Sequence, residues 1–116
     1  MAYAMFFLGI AAASGAALGA FRLKDREPPV ALAMVHGLIA LVGVVVLIFW
    51  AFTQKKVPGI LIASIVLFIT TLFGGLVAMS YHVRGKLLPL PLVALHATAG
   101  VNAYVFLIAS YLSMGA

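Results

Sequence analysis

Several residue types are absent from this chain or nearly so, and each absence narrows its chemistry. There is no cysteine, which excludes disulfides, thiolate metal sites, iron–sulfur clusters and covalent c-type haem attachment. Only two acids occur, Asp25 and Glu27, and they share one short polar stretch. A closed zinc or copper site wants three or four ligands, and no acid or thiolate lies inside an apolar segment to complete such a set. Charged residues make up 8% of the chain, against roughly a quarter in soluble domains. That places the chain in the membrane class before any motif is read. No polar segment is long enough for a soluble domain, so any chemistry must sit inside a small bundle or at its rim. The net charge of +5 is not a nucleic-acid signature here. The basic residues are confined to loops, as helix orientation and contact with lipid headgroups require.

What is present is apolar. Hydrophobic residues account for 66% of the 116 positions, and mean hydropathy is +1.28. A spanning helix needs about 20 apolar residues, so four spans with short loops use up the chain. They are expected at residues 3–21, Val30 to Phe52, Ile60 to Tyr81 and Leu90 to Ser113. The first apolar stretch lacks a basic n-region and a convincing cleavage site, and reads as a span, not as a removed signal peptide. Gly9, Ser14, Gly15 and Gly19 along it permit close helix packing. Pro28 and Pro29 suit the first turn of the second span, where a missing N–H costs nothing. The first and third loops carry Arg22, Lys24, Arg26, Arg84 and Lys86, whereas the second carries only Lys55 and Lys56. The positive-inside rule then puts both termini outside an inner (cytoplasmic) membrane.

Shifting the chain by sixty residues brings its halves into correspondence. Gly15 meets Gly75, Arg22 meets His82, Lys24 meets Arg84, Pro29 meets Pro89, His36 meets His96, and Leu47-Ile48 meets Leu107-Ile108. Chance matches of Leu, Val and Ala carry little weight, but proline, basic loop and histidine agree in one register. The fold expected is an all-α integral membrane protein: one domain over residues 1–116, a four-transmembrane-helix bundle built from two parallel-repeat helical hairpins. The repeats cover about 10–53 and 70–113. Each histidine lies seven residues past its proline, roughly 10 Å into its helix at about 1.5 Å per residue. Both imidazoles therefore come to one depth.

Ionisable groups inside a membrane are expensive and usually mark a site. Packing histidines, each hydrogen-bonded to a carbonyl, are the plainest alternative. A (bacterio)chlorophyll site with one histidine per magnesium is another. A single haem b between His36 and His96 asks for neutral imidazoles facing each other and for room beside them. Positions four and seven after His36 are Ala40 and Gly43, and after His96 they are Gly100 and Ala103. Small residues there clear a strip in both halves, and Ser14-Gly15 and Gly74-Gly75 offer the same on the flanking helices. Haem propionates need cationic partners, for which Arg22, Lys24, Arg84 and Lys86 are placed, with His82 beside them. Asn102 is expected to hydrogen-bond between helices.

This arrangement resembles the b-type membrane cytochromes of the cytochrome b561 kind, on the strength of His36, His96 and their small neighbours. The resemblance implies a four-helix haem-binding core that exchanges electrons with quinone or similar carriers at the membrane face. Such proteins typically hold two haems on four histidines, whereas this chain has His36, His82 and His96 only. One bis-histidine haem is then the maximum, near the face with the basic loops. The function expected is a single-haem membrane cytochrome b, an electron carrier more than a stand-alone enzyme. Its partners would be membrane lipid, quinone or other redox subunits. The alternative is a non-catalytic small membrane subunit of a larger respiratory or photosynthetic complex. Small multidrug resistance transporters match in length and span number, but they depend on a membrane-embedded carboxylate. Asp25 and Glu27 lie in a loop, so proton-coupled export is not expected.

Overall fold

The computed structural model describes residues 1–115 as four helices: α1 (Ala2–Leu23), α2 (Val30–Phe52), α3 (Gly59–Val83) and α4 (Leu90–Ser113). All four are long and apolar enough to cross a membrane. The ends of α2 and α4 fall where the hydropathy and prolines put them, while α3 runs on through His82 to Val83. Pro29, Pro58 and Pro89 stand at the helix N-caps with extended backbone. Pro29 is thus one step before the first turn and not inside it. A residue without an N–H fits either place.

Helices α1 and α3 end in the same way. Asp25 has φ 53° and Gly85 φ 65°. Arg26 N–H then donates to the Phe21 carbonyl at 2.9 Å, and Lys86 N–H to the Tyr81 carbonyl at 2.9 Å. This left-handed C-terminal turn satisfies otherwise orphaned carbonyls. Glycine adopts the conformation freely, but Asp25 meets Cβ strain in it.

Successive helices run antiparallel and enclose a bundle with extents of 46 × 22 × 18 Å. Packing is most extensive within the hairpins α1–α2 and α3–α4, and thinner across the seams α2–α3 and α1–α4. Among the described residues the diagonal pairs α1–α3 and α2–α4 make no close backbone approach. A side chain that leaves α2 for the bundle axis therefore points toward α4.

Burial divides the bundle into two halves. One holds the N-terminus, the α2–α3 connection and the end of α4, and it contains a continuous core. Leu47, Leu61, Ala4, Ala103 and Leu107 are fully buried there, and Leu8, Val44 and Phe68 nearly so. Ser64 is also fully buried, and its hydroxyl donates to the Ala103 carbonyl at 2.7 Å. The other half holds residues 12–42 and 72–102, and Pro28 is its only buried residue. Both histidines lie in this loosely packed half.

Candidate functional site

His36 is on the second turn of α2 and His96 on the second turn of α4, each half-buried. Their rings approach across the diagonal of the bundle, with centroids 6.2 Å apart and planes at 79°. No hydrogen bond joins the two rings. Each leans instead on the other helix of its own hairpin. His36 Nδ1 lies 2.8 Å from the Ala11 carbonyl oxygen and 3.1 Å from Ser14 Oγ. The Ser14 hydroxyl itself donates to the Ala11 carbonyl at 3.0 Å. A carbonyl can only accept, so Nδ1 carries the proton and Nε2 keeps a free lone pair. A carbonyl on Nδ1 is the usual way in which a metal-binding histidine is oriented.

His96 stands in a similar place with weaker support. Thr71, sixty residues on, stands in the register position of Ala11, but His96 Nδ1 is buried without a hydrogen bond. The counterpart of Ser14 is Gly74, which has no hydroxyl to offer. Glycines make room for both rings. A Cβ on Gly15 would stand 2.8 Å from His36 Cε1, and Cβ atoms on Gly74 and Gly75 would stand 3.3 Å from His96 Nδ1 and Cε1.

The small residues that follow the histidines face elsewhere. A Cβ on Gly43 would come within 2.7 Å of Leu8 Cγ and 3.3 Å of its backbone nitrogen, so Gly43 brings α1 and α2 together. Gly100 faces Thr71 Cγ2 at 3.3 Å, and Ala103 is in the closed core, where Ser64 caps its carbonyl. Ala40 is half-buried. The strip seven residues past each histidine is therefore filled by the neighbouring helix of the same hairpin. The glycines that make space at the imidazoles are Gly15, Gly74 and Gly75.

At the rim, Arg22 and Arg84 are already engaged. Arg22 Nε donates to the Leu88 carbonyl at 2.6 Å, and its Nη1 pairs with Asp25 at 2.9 Å. The first hydrogen bond ties the end of α1 to the loop before α4 and is a clasp between the hairpins. Arg84 lies over the Tyr81 ring at 4.9 Å and donates to the Ser80 carbonyl at 3.0 Å. His82 sits half-buried in the last turn of α3. Lys24 and Arg26 border an open groove of about 360 Å³ whose other walls are Ala17, Ala20 and Phe21. This groove offers an apolar wall ending in two cations.

Asn102 corrects its expectation. It is exposed, and its amide donates to the Thr98 carbonyl of its own helix at 2.8 Å. Position 102 is one step around the helix from buried Ala103, which turns it away from the axis. Interhelical bonds in this region come from Ser64 to the Ala103 carbonyl and from Tyr104, whose hydroxyl donates to the Met5 carbonyl at 3.1 Å. Gly9 makes room for it, since a Cβ there would lie 3.1 Å from that hydroxyl. Among the described residues no cluster of three or more His, Cys, Asp or Glu side chains could hold a metal ion. Any ion bound here has the two imidazoles as its only side-chain ligands of that kind.

No protein-family model matches the chain, and neither does any curated protein or solved structure. The geometry of the site alone carries the functional argument.

Proposed function

We propose that this is an integral membrane cytochrome b, built from two copies of one helical hairpin and holding a single haem b between His36 and His96. The observation that carries the reading is the pair of rings 6.2 Å apart in the half of the bundle that lacks a packed core. A metal–imidazole bond is about 2 Å and an imidazole centroid lies roughly 1 Å behind its nitrogen, so two histidines that shared one metal would have ring centroids about 6 Å apart. The spacing fits. The donor set fits as well, because the Ala11 carbonyl commits His36 Nδ1 and leaves Nε2 for the metal.

Haem supplies a one-electron couple that the amino acids of this chain do not have. The remaining work belongs to the residues. His36 and His96 donate from opposite sides, and Ala11 and Ser14 hold the His36 ring in orientation. Gly15, Gly74 and Gly75 admit the rings close to the α1 and α3 backbones. Lys24 and Arg26, unlike Arg22 and Arg84, are free of partners in the rim contacts described above and are the cations assigned to the propionates. A haem held by these residues would lie near the face carrying the basic loops and would supply electron exchange with quinone or a partner protein at that face. The bilayer is not crossed. The proposal includes insertion in the cytoplasmic membrane with both termini outside.

The test is a reduced-minus-oxidised visible spectrum of the protein purified in mild detergent from haem-replete cells. A sharp b-type α-band is expected, and it should be lost in His36→Ala and in His96→Ala. Colourless wild-type protein would leave the histidines as helix-packing residues and end the cytochrome reading.

A further inference from the structure

The first basic loop and its counterpart sixty residues on place cations in the same register and use them differently. In the second hairpin Arg84 folds back on its own helix. It lies over the Tyr81 ring at 4.9 Å, and its guanidinium donates to the Ser80 carbonyl at 3.0 Å and to the Ser80 hydroxyl at 3.3 Å. In the first hairpin the corresponding residues are Lys24, Phe21 and Ala20. Alanine has no hydroxyl to draw the cation down, and among the described residues neither Lys24 nor Arg26 is in an ion pair. Asp25, the acid between them, is taken by Arg22 at 2.9 Å, and Glu27 is exposed beyond them.

The result is an open groove of about 360 Å³ lined by Ala17, Ala20, Phe21, Lys24 and Arg26. The first four of these fall at i, i+3, i+4 and i+7, one face of α1, and both alanines are exposed. An apolar wall along a spanning helix, with cations at its loop end, has the polarity of a lipid: acyl chain on the wall, anionic phosphate at the rim. A cube of that volume is roughly 7 Å on a side, narrower than a partner helix of about 10–12 Å.

We propose that this groove binds one anionic phospholipid per chain, with its phosphodiester on Lys24 and Arg26 and an acyl chain along Ala17, Ala20 and Phe21. The inference rests on the membrane insertion included in the reading above and is independent of the haem. Lys24 brings three N–H donors and Arg26 five, so a phosphate does not withdraw them from the propionates. The second hairpin offers no equal site, because Arg84 covers its own wall.

The test is native mass spectrometry of the full chain in mild detergent, titrated with phosphatidylglycerol or with phosphatidylcholine of the same acyl chains. One phosphatidylglycerol per chain is expected to be retained at concentrations where phosphatidylcholine is not. Lys24→Gln/Arg26→Gln should bind it about 30-fold more weakly, at roughly a factor of five per cation. Ala20→Trp leaves every charge in place but fills the groove, and should abolish retention. Lys55→Gln/Lys56→Gln removes the same charge from the opposite end of the bundle and should change nothing. Equal weakening in the two double variants, or full retention in Ala20→Trp, overturns the inference, because the attraction is then diffuse. Displacement by millimolar inorganic phosphate overturns it too, since the apolar wall would then contribute nothing. Coloured protein that retains no phosphatidylglycerol ends this inference and leaves the cytochrome standing, and colourless protein that retains it does the reverse.

Discussion

The two halves of this bundle are made from the same kinds of residue, yet only one of them is closed. Around Leu47, Leu61 and Leu107, leucines from α2, α3 and α4 meet at the axis and exclude everything else. At the corresponding level of the other half, the axis is occupied by two imidazoles that do not bond to each other. Every helix is long and apolar enough to cross a membrane, so the span pattern alone does not separate the two halves. What differs is which side chains point inward. Inward leucines bury one another and hold the hairpins together. Inward histidines keep the hairpins apart and leave polar atoms in need of a partner. In apolar surroundings an unmatched polar group is costly, and the open half buries one, His96 Nδ1, while among the described residues the closed half buries none.

The sharpest way to break this contrast is to remove an inward leucine. Leu47→Ala is expected to destabilise the protein by about 2–5 kcal/mol, read as a fall in the thermal midpoint in detergent. Leu95→Ala, at a site 71% exposed in the histidine half, should stay within about 0.5 kcal/mol of wild type. Equal losses from the two would mean that the closed half has no special status. Next in size is overpacking. Gly43→Val thrusts a branched side chain onto Leu8 and should cost about 1–3 kcal/mol with little change in a haem spectrum. The matching change in the open half, Gly15→Ala, drives a methyl into the His36 ring. Its effect should appear chiefly as a shifted α-band or reduced haem content, with a smaller loss of thermal stability. Exchanged phenotypes would show that the halves have been assigned the wrong roles.

Smaller effects test the polar bonds. Ser64→Ala removes the hydroxyl that caps the Ala103 carbonyl between α3 and α4 and should cost about 0.6–1.7 kcal/mol. Asn102→Ala should be close to neutral, within about 0.5 kcal/mol, because its amide bonds only to its own helix. A loss for Asn102→Ala larger than that for Ser64→Ala would place the interhelical polar contact at the wrong residue.

Much of the frame was legible in the residues themselves. The proline and histidine registers located α2 and α4 to the residue, and the common offset of His36 and His96 brought their rings to one level on opposed helices. Less legible was the direction of each small side chain. Gly43 and Gly15 are equally compatible with a ligand or a neighbouring helix on periodicity alone. What decides between them is the seam on which each lies, and that depends on the rotation of whole helices about their axes. Gly43 turned out to face Leu8 and Gly15 to face His36. Asn102 was read as inward because amides in apolar helices usually are, but a rotation of one residue sets it outside. The clasp from Arg22 to Leu88 spans 66 positions and pairs a side chain with a main-chain carbonyl. A residue type at position 88 therefore carries no trace of it.

The distribution of packing has a consequence for how such a chain can be divided. Each hairpin packs most extensively within itself and more thinly against the other. Lys55 and Lys56 in that connection are exposed. A gene cut between them would encode two short proteins, each complete as a hairpin, the first carrying His36 and the second His82 and His96. Co-expressed, the halves should find one another through the leucine core. Under the cytochrome proposal neither alone would pair His36 with His96, so haem colour would report their union.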